Sequence, residues 1–261
     1  MRDILNDLEN GEGPDPMRRA QEAMRTPLPK KFYTAVTVAE ADGGYGVYLD
    51  GKPVRTPGRR ALILPTSAAA QIVADEFALQ QKIIDPAQMP ATRLANTAID
   101  GVADDPQAVV EDLLRFVASD MLFYRADAPE ELVKRQAEGW DPLIDWASSA
   151  LNAHFILAEG VMHVAQPREA LAAFGVHIKA FSDPIALAAL HTMTTLTGSA
   201  ILALAIARGE IGVREGWKLA HLDEDWTVEH WGEDAEAQAR RAAREEEMMA
   251  AAAMLAATSS S

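Results

Sequence analysis

Apolar and polar positions follow two regimes along this chain: weak alternation cut by turn signals over residues 31–65, then apolar positions every three or four residues almost to the end. In the first regime, residues 32–39 read as a strand, Asp42-Gly43-Gly44 as a turn and residues 45–49 as a second strand. Asp50-Gly51 is a two-residue hairpin signal leading into residues 52–56, and residues 61–64 supply a fourth strand. The pattern predicts a small antiparallel sheet.

In the second regime, Thr66 or Ser67 caps a helix that runs to about residue 81, with Ile72, Val73, Phe77 and Leu79 as its apolar positions. A short helix is predicted at 92–99, and Asp105-Pro106 starts another that reaches about 121. Residues 129–151 read as helix broken at Gly139 and at Asp141-Pro142, residues 155–164 as an extended connection or short strand, and Gln166-Pro167 as the start of a helix of about eight residues. Residues 184–209 are apolar on every side once wound into a helix, with Asp183 as N-cap, Pro184 at the first position and Gly209 at the end. About 25 such residues would just cross a bilayer, but His191, Gly198 and five hydroxyl side chains interrupt the run, which favours a central core helix. Residues 213–222 and an acidic-to-basic segment at 227–255 complete the helices.

The expected fold class is therefore α+β, a small N-terminal antiparallel β domain followed by a larger all-helical C-terminal domain. Residues 1–30, punctuated by glycine and proline, read as an arm, partly disordered; residues 31–65, extendable to about 90, form the β domain, and residues 66–261 the helical one.

Composition narrows the function. The 261 residues are about half apolar, which suffices for a sizeable core, and a net charge of −15 opposes nucleic-acid binding. With no cysteine there is no disulfide, thiolate site or thiol nucleophile. The N-terminus lacks a secretory core and an arginine-rich presequence, so the expected location is the cytoplasm of a bacterium, or the mitochondrial matrix for a processed eukaryotic chain. The hairpin region is locally basic, with Lys30, Lys31, Lys52, Arg55, Arg59 and Arg60, and reads first as a solvated sheet face and second as a docking patch.

No nucleophile elbow, P-loop or dinucleotide fingerprint is present, and no cofactor is implied. Asp120, Tyr124 and Arg125 read as a satisfied helix end, and the dispersed His154, His163 and His177 as structural. His191 with its neighbouring threonines makes a polar knot that fixes helix packing or, on a weaker reading, lines a small-ligand pocket. The richest segment is 221–241. His221, Asp225 and Glu229 fall at i, i+4 and i+8, and His230 and Asp234 at i and i+4, so one alternative is a metal-dependent enzyme using these five ligands. Seven carboxylates between Asp223 and Glu236, with no Lys or Arg among them, cost a helix stability and are interleaved with Trp226 and Trp231. Tryptophan beside fixed charge is how interface anchors are built, so Asp225, Trp226, Glu229, Trp231, Gly232, Glu233, Asp234 and Glu236 form the candidate partner-binding set.

The blocks LAALHTMTTLTGSAILALAIARGEI and DEDWTVEHWGEDAEAQARR, with KKFYTAVTV, GYGVYLDGKPVRTP and AQMPATRLANTAIDGV before them, closely resemble the assembly chaperone family of the F-type ATP synthase, found in mitochondria and alphaproteobacteria. The resemblance runs in order from about Lys31 to Arg244. It implies the same β-then-helical organisation, no enzymatic activity, and a partner: the unassembled alpha subunit, shielded from aggregation until it meets the beta subunit. Carried over position by position, Trp231 and Gly232 match the family's W-G pair, and Glu233, Asp234 and Glu236 its following acidic positions.

Overall fold

The computed structural model describes residues 28–160 and 164–258. The expected arm at 1–30 thus lies almost wholly outside the described residues, as do His163 and the last three residues of the tail. The chain divides into two compact units. In the first, described over residues 28–32 and 80–85, the two segments pair: Lys31 N donates to Lys82 O at 3.0 Å, and Ile84 N donates to Pro29 O at 2.8 Å. The second unit holds Tyr33–Leu79 and Pro86–Ser261.

In the second unit the sheet follows its turn chemistry. Strands β1 (Val36–Ala41) and β2 (Gly44–Leu49) form a hairpin in the register Val36↔Leu49 to Ala41↔Gly44. On the other side of β2 lie β3 (Lys52–Pro53) and β4 (Ile63–Leu64), both antiparallel to it. Asp50 and Gly51 both have positive φ, as the tight two-residue turn requires. The Asp50 carboxylate accepts from Thr34 N and Ala35 N, which holds its pKa below the ordinary carboxylate value. Helix α1 (Ser67–Leu79), whose Ala69 N donates to Thr66 Oγ1, covers the sheet's inner face. Buried Val47, Leu49, Leu62 and Leu64 face buried Val73 and Phe77 there, because alternation points every second strand residue inward. The composition switch at Pro65 thus coincides with the start of a helix that packs on the sheet inside this unit.

The helices that follow are α2 (Pro90–Thr97), continued by a π-turn at Ala98–Val102, α3 (Pro106–Ala118), α4 (Glu130–Leu151), α5 (Arg168–Ile178), α6 (Pro184–Thr197), α7 (Ala200–Ala207), α8 (Val213–Ala220), α9 (Leu222–Trp231) and α10 (Ala235–Thr258). A two-residue parallel pair, β5 (Tyr124–Arg125) with β6 (Ala158–Glu159), lies between α3 and α5 in the chain. The fold class is α+β, a small N-terminal antiparallel sheet followed by a larger helical part. Among the described residues no helix is long and apolar enough to cross a membrane.

Three helix boundaries differ from the sequence reading. The 184–209 run is two helices: Gly198 adopts the left-handed conformation (φ 71°) that ends α6, and Ser199 Oγ accepts from Leu202 N to start α7. Residues 227–255 belong to two helices as well. Gly232, with φ 90° and ψ 173°, occupies backbone space open essentially to glycine and turns the chain from α9 toward α10. Conversely, α4 runs unbroken through Gly139 and Pro142. A proline in a helix interior costs about 3 kcal/mol, and here a buried stripe of Trp140, Leu143, Ala147 and Leu151 outweighs it.

The core centres on α6 and α7, with α10 lying along α6. Ala200 through Ala205 are all buried. The α6 threonines satisfy themselves: Thr194 Oγ1 donates to Leu190 O and Thr197 Oγ1 to Met193 O. His191 Nε2 sits 2.8 Å from Asp112 Oδ2 and its ring stands edge-to-face with Phe116, so the polar knot joins α6 to α3. Asp120 is fully buried at the break between α6 and α7. Its carboxylate accepts from Ile201 N at 3.0 Å and Leu122 N at 3.1 Å, placing an anion at the α7 N-terminus.

Burial pushes the Asp120 carboxyl up to about 6 from 3.8. A raised carboxyl pKa means that the folded chain retains a proton the unfolded chain releases. The resulting contribution to stability is complete below about pH 4 and is lost as pH rises through about 6, a difference of about 3 kcal/mol. Urea unfolding of the wild type and of Asp120→Asn across pH 4 to 8 should therefore show a stability difference that shifts against the wild type up to about pH 6 and then levels. A difference independent of pH contradicts this.

Candidate partner-binding face

Helix α9 carries four carboxylates in three turns, yet it forms, because two arginines from distant elements pair with two of them. Arg135 on α4 makes a two-pronged pair with Glu229, both contacts 2.9 Å, and its guanidinium lies 5.1 Å over the Trp226 ring. Arg241 on α10 pairs with Asp225. Gln136 Nε2 donates to Asp223 Oδ1 at 2.8 Å, and Trp140 Nε1 to Leu219 O at 2.9 Å. Arg135 and Arg241 are correspondingly raised and Glu229 lowered in pKa by these charge-assisted hydrogen bonds.

The eight candidate residues therefore fall into two groups. Trp226 is buried, 6% exposed, and Asp225 and Glu229 are spoken for by arginines, so these three hold α9 in place. Trp231, Gly232, Glu233, Asp234 and Glu236 form an exposed corner between α9 and α10. Trp231 is 77% exposed, the largest exposed fraction among the big apolar side chains of the described residues. Asp234 caps α10, accepting from Glu236 N at 2.8 Å, and Glu236 reaches Arg240 one turn on at 2.6 Å. Glu233 makes no hydrogen bond or ion pair among the described residues.

The metal-ligand alternative does not survive this geometry. His221 is buried against Trp217, with Nδ1 2.8 Å from Trp217 O and its pKa lowered by desolvation. His230 stacks on Trp226 with Nδ1 2.8 Å from Trp226 O, and Asp225 and Glu229 are held by arginines. Among the described residues no group of three or more His, Asp or Glu side chains could hold a metal ion. The i, i+4, i+8 reading assumed one continuous helix, whereas His221 sits at the junction of α8 and α9.

The sequence did not point to the supports of this face. Arg135 and Gln136 lie in mid-helix 94 and 87 residues from their partners, with nothing local to mark them. By sequence alone Arg125 reads as part of a helix end. Its Nε donates to Leu122 O and its Nη1 meets Asp141 at 2.9 Å, tying β5 to α4, while its buried Nη2 has no hydrogen-bond partner among the described residues.

Solved structures share the fold of this chain. A chaperone candidate from Agrobacterium tumefaciens is 58% identical over 98% of this chain and 97% of its own, with a TM-score of 0.86. Atp12 from Paracoccus denitrificans is 43% identical over 88% of this chain and 98% of its own, with a TM-score of 0.82, and a point mutant of that protein matches at 42% identity with the same score. The model of the ATP12 chaperone protein family matches residues 30–148. The fold is thus that of a chaperone. The chain belongs to the ATP12 chaperone family.

The division into structural and exposed acids is testable by thermal melting. Asp225→Ala leaves Arg241 without its partner in a half-buried site and should cost about 1–3 kcal/mol, lowering Tm by several degrees, whereas Glu233→Ala should leave Tm unchanged. Equal effects would show that the two groups do not differ.

Proposed function

We propose that the chain is an assembly chaperone of the F-type ATP synthase, binding the unassembled alpha subunit of the catalytic head and keeping it from aggregating until it pairs with beta. The carrying observation is the exposed corner at the α9–α10 junction, where Trp231 stands in solvent beside Glu233, Asp234 and Glu236. Membership of the ATP12 chaperone family and the ordered sequence blocks support the reading. Trp231 acts as the anchor, and the three carboxylates are read by basic groups of the alpha subunit. Charges at an interface rim mainly set association rate, while truncating one member of a desolvated pair costs about 2–5 kcal/mol. The site of action is where the catalytic head is assembled, the cytoplasm in a bacterium.

Co-expression with tagged alpha subunit of the same organism, followed by size-exclusion chromatography, tests this. The expected result is alpha subunit that is insoluble alone and co-elutes with this chain in a discrete complex. Glu236→Lys, at an exposed position one turn from Arg240, should abolish co-elution without lowering Tm. Normal co-elution of that variant refutes the assignment of the corner, and alpha subunit that stays soluble and never co-elutes refutes the function.

A further inference from the structure

Beside Trp231, an open groove of about 440 Å³ lies between α9, the start of α4 and β5. A second hollow of about 250 Å³ shares Arg125, Ala126 and Gln136 with it, so the two form one trough crossing the β5–β6 pair. Its apolar lining is Trp231, Ala128, Pro129 and Leu132 in the first hollow and Val133 and Leu157 in the second, with the polar Arg125 and Gln136 common to both. Each hollow carries acid: Asp223, bonded to Gln136, lines the first, and Asp141, paired with Arg125, and Glu159 line the second.

Charge decides what such a trough accepts. Arg125 is the only cation among the described lining residues of the two hollows, and it is already engaged by Leu122 O and Asp141, with its guanidinium 5.3 Å over the Trp140 ring. Its buried Nη2 has no hydrogen-bond partner among the described residues, yet three carboxylates stand against this one cation, so the described lining carries net negative charge. The small residues Ala126 and Ala128 leave room for a main chain lying across them, and Trp231 and Leu157, 77% and 42% exposed, bracket the trough with apolar surface. A second copy of this chain fits poorly, because both copies carry a net charge of −15 and would bring the same acidic face together.

Building on the chaperone reading above, we infer that this trough binds an extended segment of the client with one or two large apolar side chains flanked by lysine or arginine. The apolar side chains lie between Trp231 and Leu157, and the flanking cations meet Asp223 in the first hollow and Asp141 and Glu159 in the second. A segment of that kind, destined to be buried against a neighbouring subunit, is one that a chaperone must cover.

Thr227 tests this cleanly. It is exposed on α9, lines the groove, and its hydroxyl bonds only Asp223 O one turn back in its own helix, so replacement perturbs little else. Thr227→Arg places a cation over the trough, and Thr227→Glu adds a carboxylate on a side chain that is also longer than threonine. The probes are two capped nonapeptides with a central Leu-Phe pair, one flanked by lysines and one by glutamates, read by fluorescence anisotropy, with alpha-subunit co-elution measured in parallel. The wild type should bind the lysine peptide at least about tenfold tighter than the glutamate peptide, with affinity falling as salt rises. Thr227→Arg should weaken that binding about tenfold, and Thr227→Glu should retain or strengthen it, with Tm unchanged in both. Equal affinity for the two peptides, equal loss in both variants, or a salt-sensitive dimer of the free chain that Thr227→Arg dissolves would overturn the proposal. Alpha subunit that co-elutes equally with wild type and Thr227→Arg overturns the trough while leaving the chaperone reading intact. The predicted peptide pattern without any alpha-subunit complex does the reverse.

Discussion

A single buried carboxylate organises the centre of this fold. Asp120 leaves the end of α3 and accepts hydrogen bonds from Leu122 N and Ile201 N where the apolar α6–α7 run breaks at Gly198 and Ser199. Burying a charge is costly unless donors compensate it, and the open backbone N–H groups of a helix start are well suited to do so. The interaction does two things at once. It fixes the register between the core helices and the chain entering β5, and it lets an almost wholly apolar α7 start in mid-core without orphaned donors.

From that point the structure builds outward to the surface. Residues 121–125 follow directly from Asp120, and Arg125 ties β5 to α4 through Asp141. Helix α4 in turn holds α9 through Arg135 and Gln136, and α10 holds it through Arg241. Asp225 and Glu229 on α9 are thus spent on positioning, while Asp223, held by a neutral amide, keeps its charge toward the groove. The corner after Trp231 is left wholly free for a partner: Gly232 turns the chain there and, among the described residues, the next carboxylates meet no cation from another element. An acidic helix kept in place by borrowed arginines presents fixed negative charge at little cost to stability.

Local chemistry made the turns legible in the sequence: Asp42-Gly43 and Asp50-Gly51 specify them whatever surrounds them, although β1 runs 36–41 rather than 32–39 and the later strands are shorter, 52–53 and 63–64 rather than 52–56 and 61–64. Helix starts with a side-chain cap were equally readable, as at Asp105 and Asp183. The breaks were not. Gly198 and Gly232 look alike from the sequence to glycines that helices tolerate, and what settles Gly198 is a carboxylate 78 residues earlier in the chain. Pro142 shows the converse, a local break signal overridden by burial of Trp140 and Leu143. On the candidate face, the excess of acid with tryptophan was visible as an anomaly of composition. The division of those acids could not be, because the partner of Glu229 is Arg135, 94 residues away. The reading of five residues as metal ligands failed for the same reason: spacing along one helix says nothing about which cations arrive from elsewhere.

The most direct measurement of the central claim is site-specific photo-crosslinking in the complex with alpha subunit. A crosslinking residue in place of Trp231, compared with one in place of Val176, which is 67% exposed on α5, reports which surface the client touches. The account predicts a strong, discrete adduct to alpha subunit from position 231 and none from position 176. Adducts from position 176 with none from position 231 would contradict it.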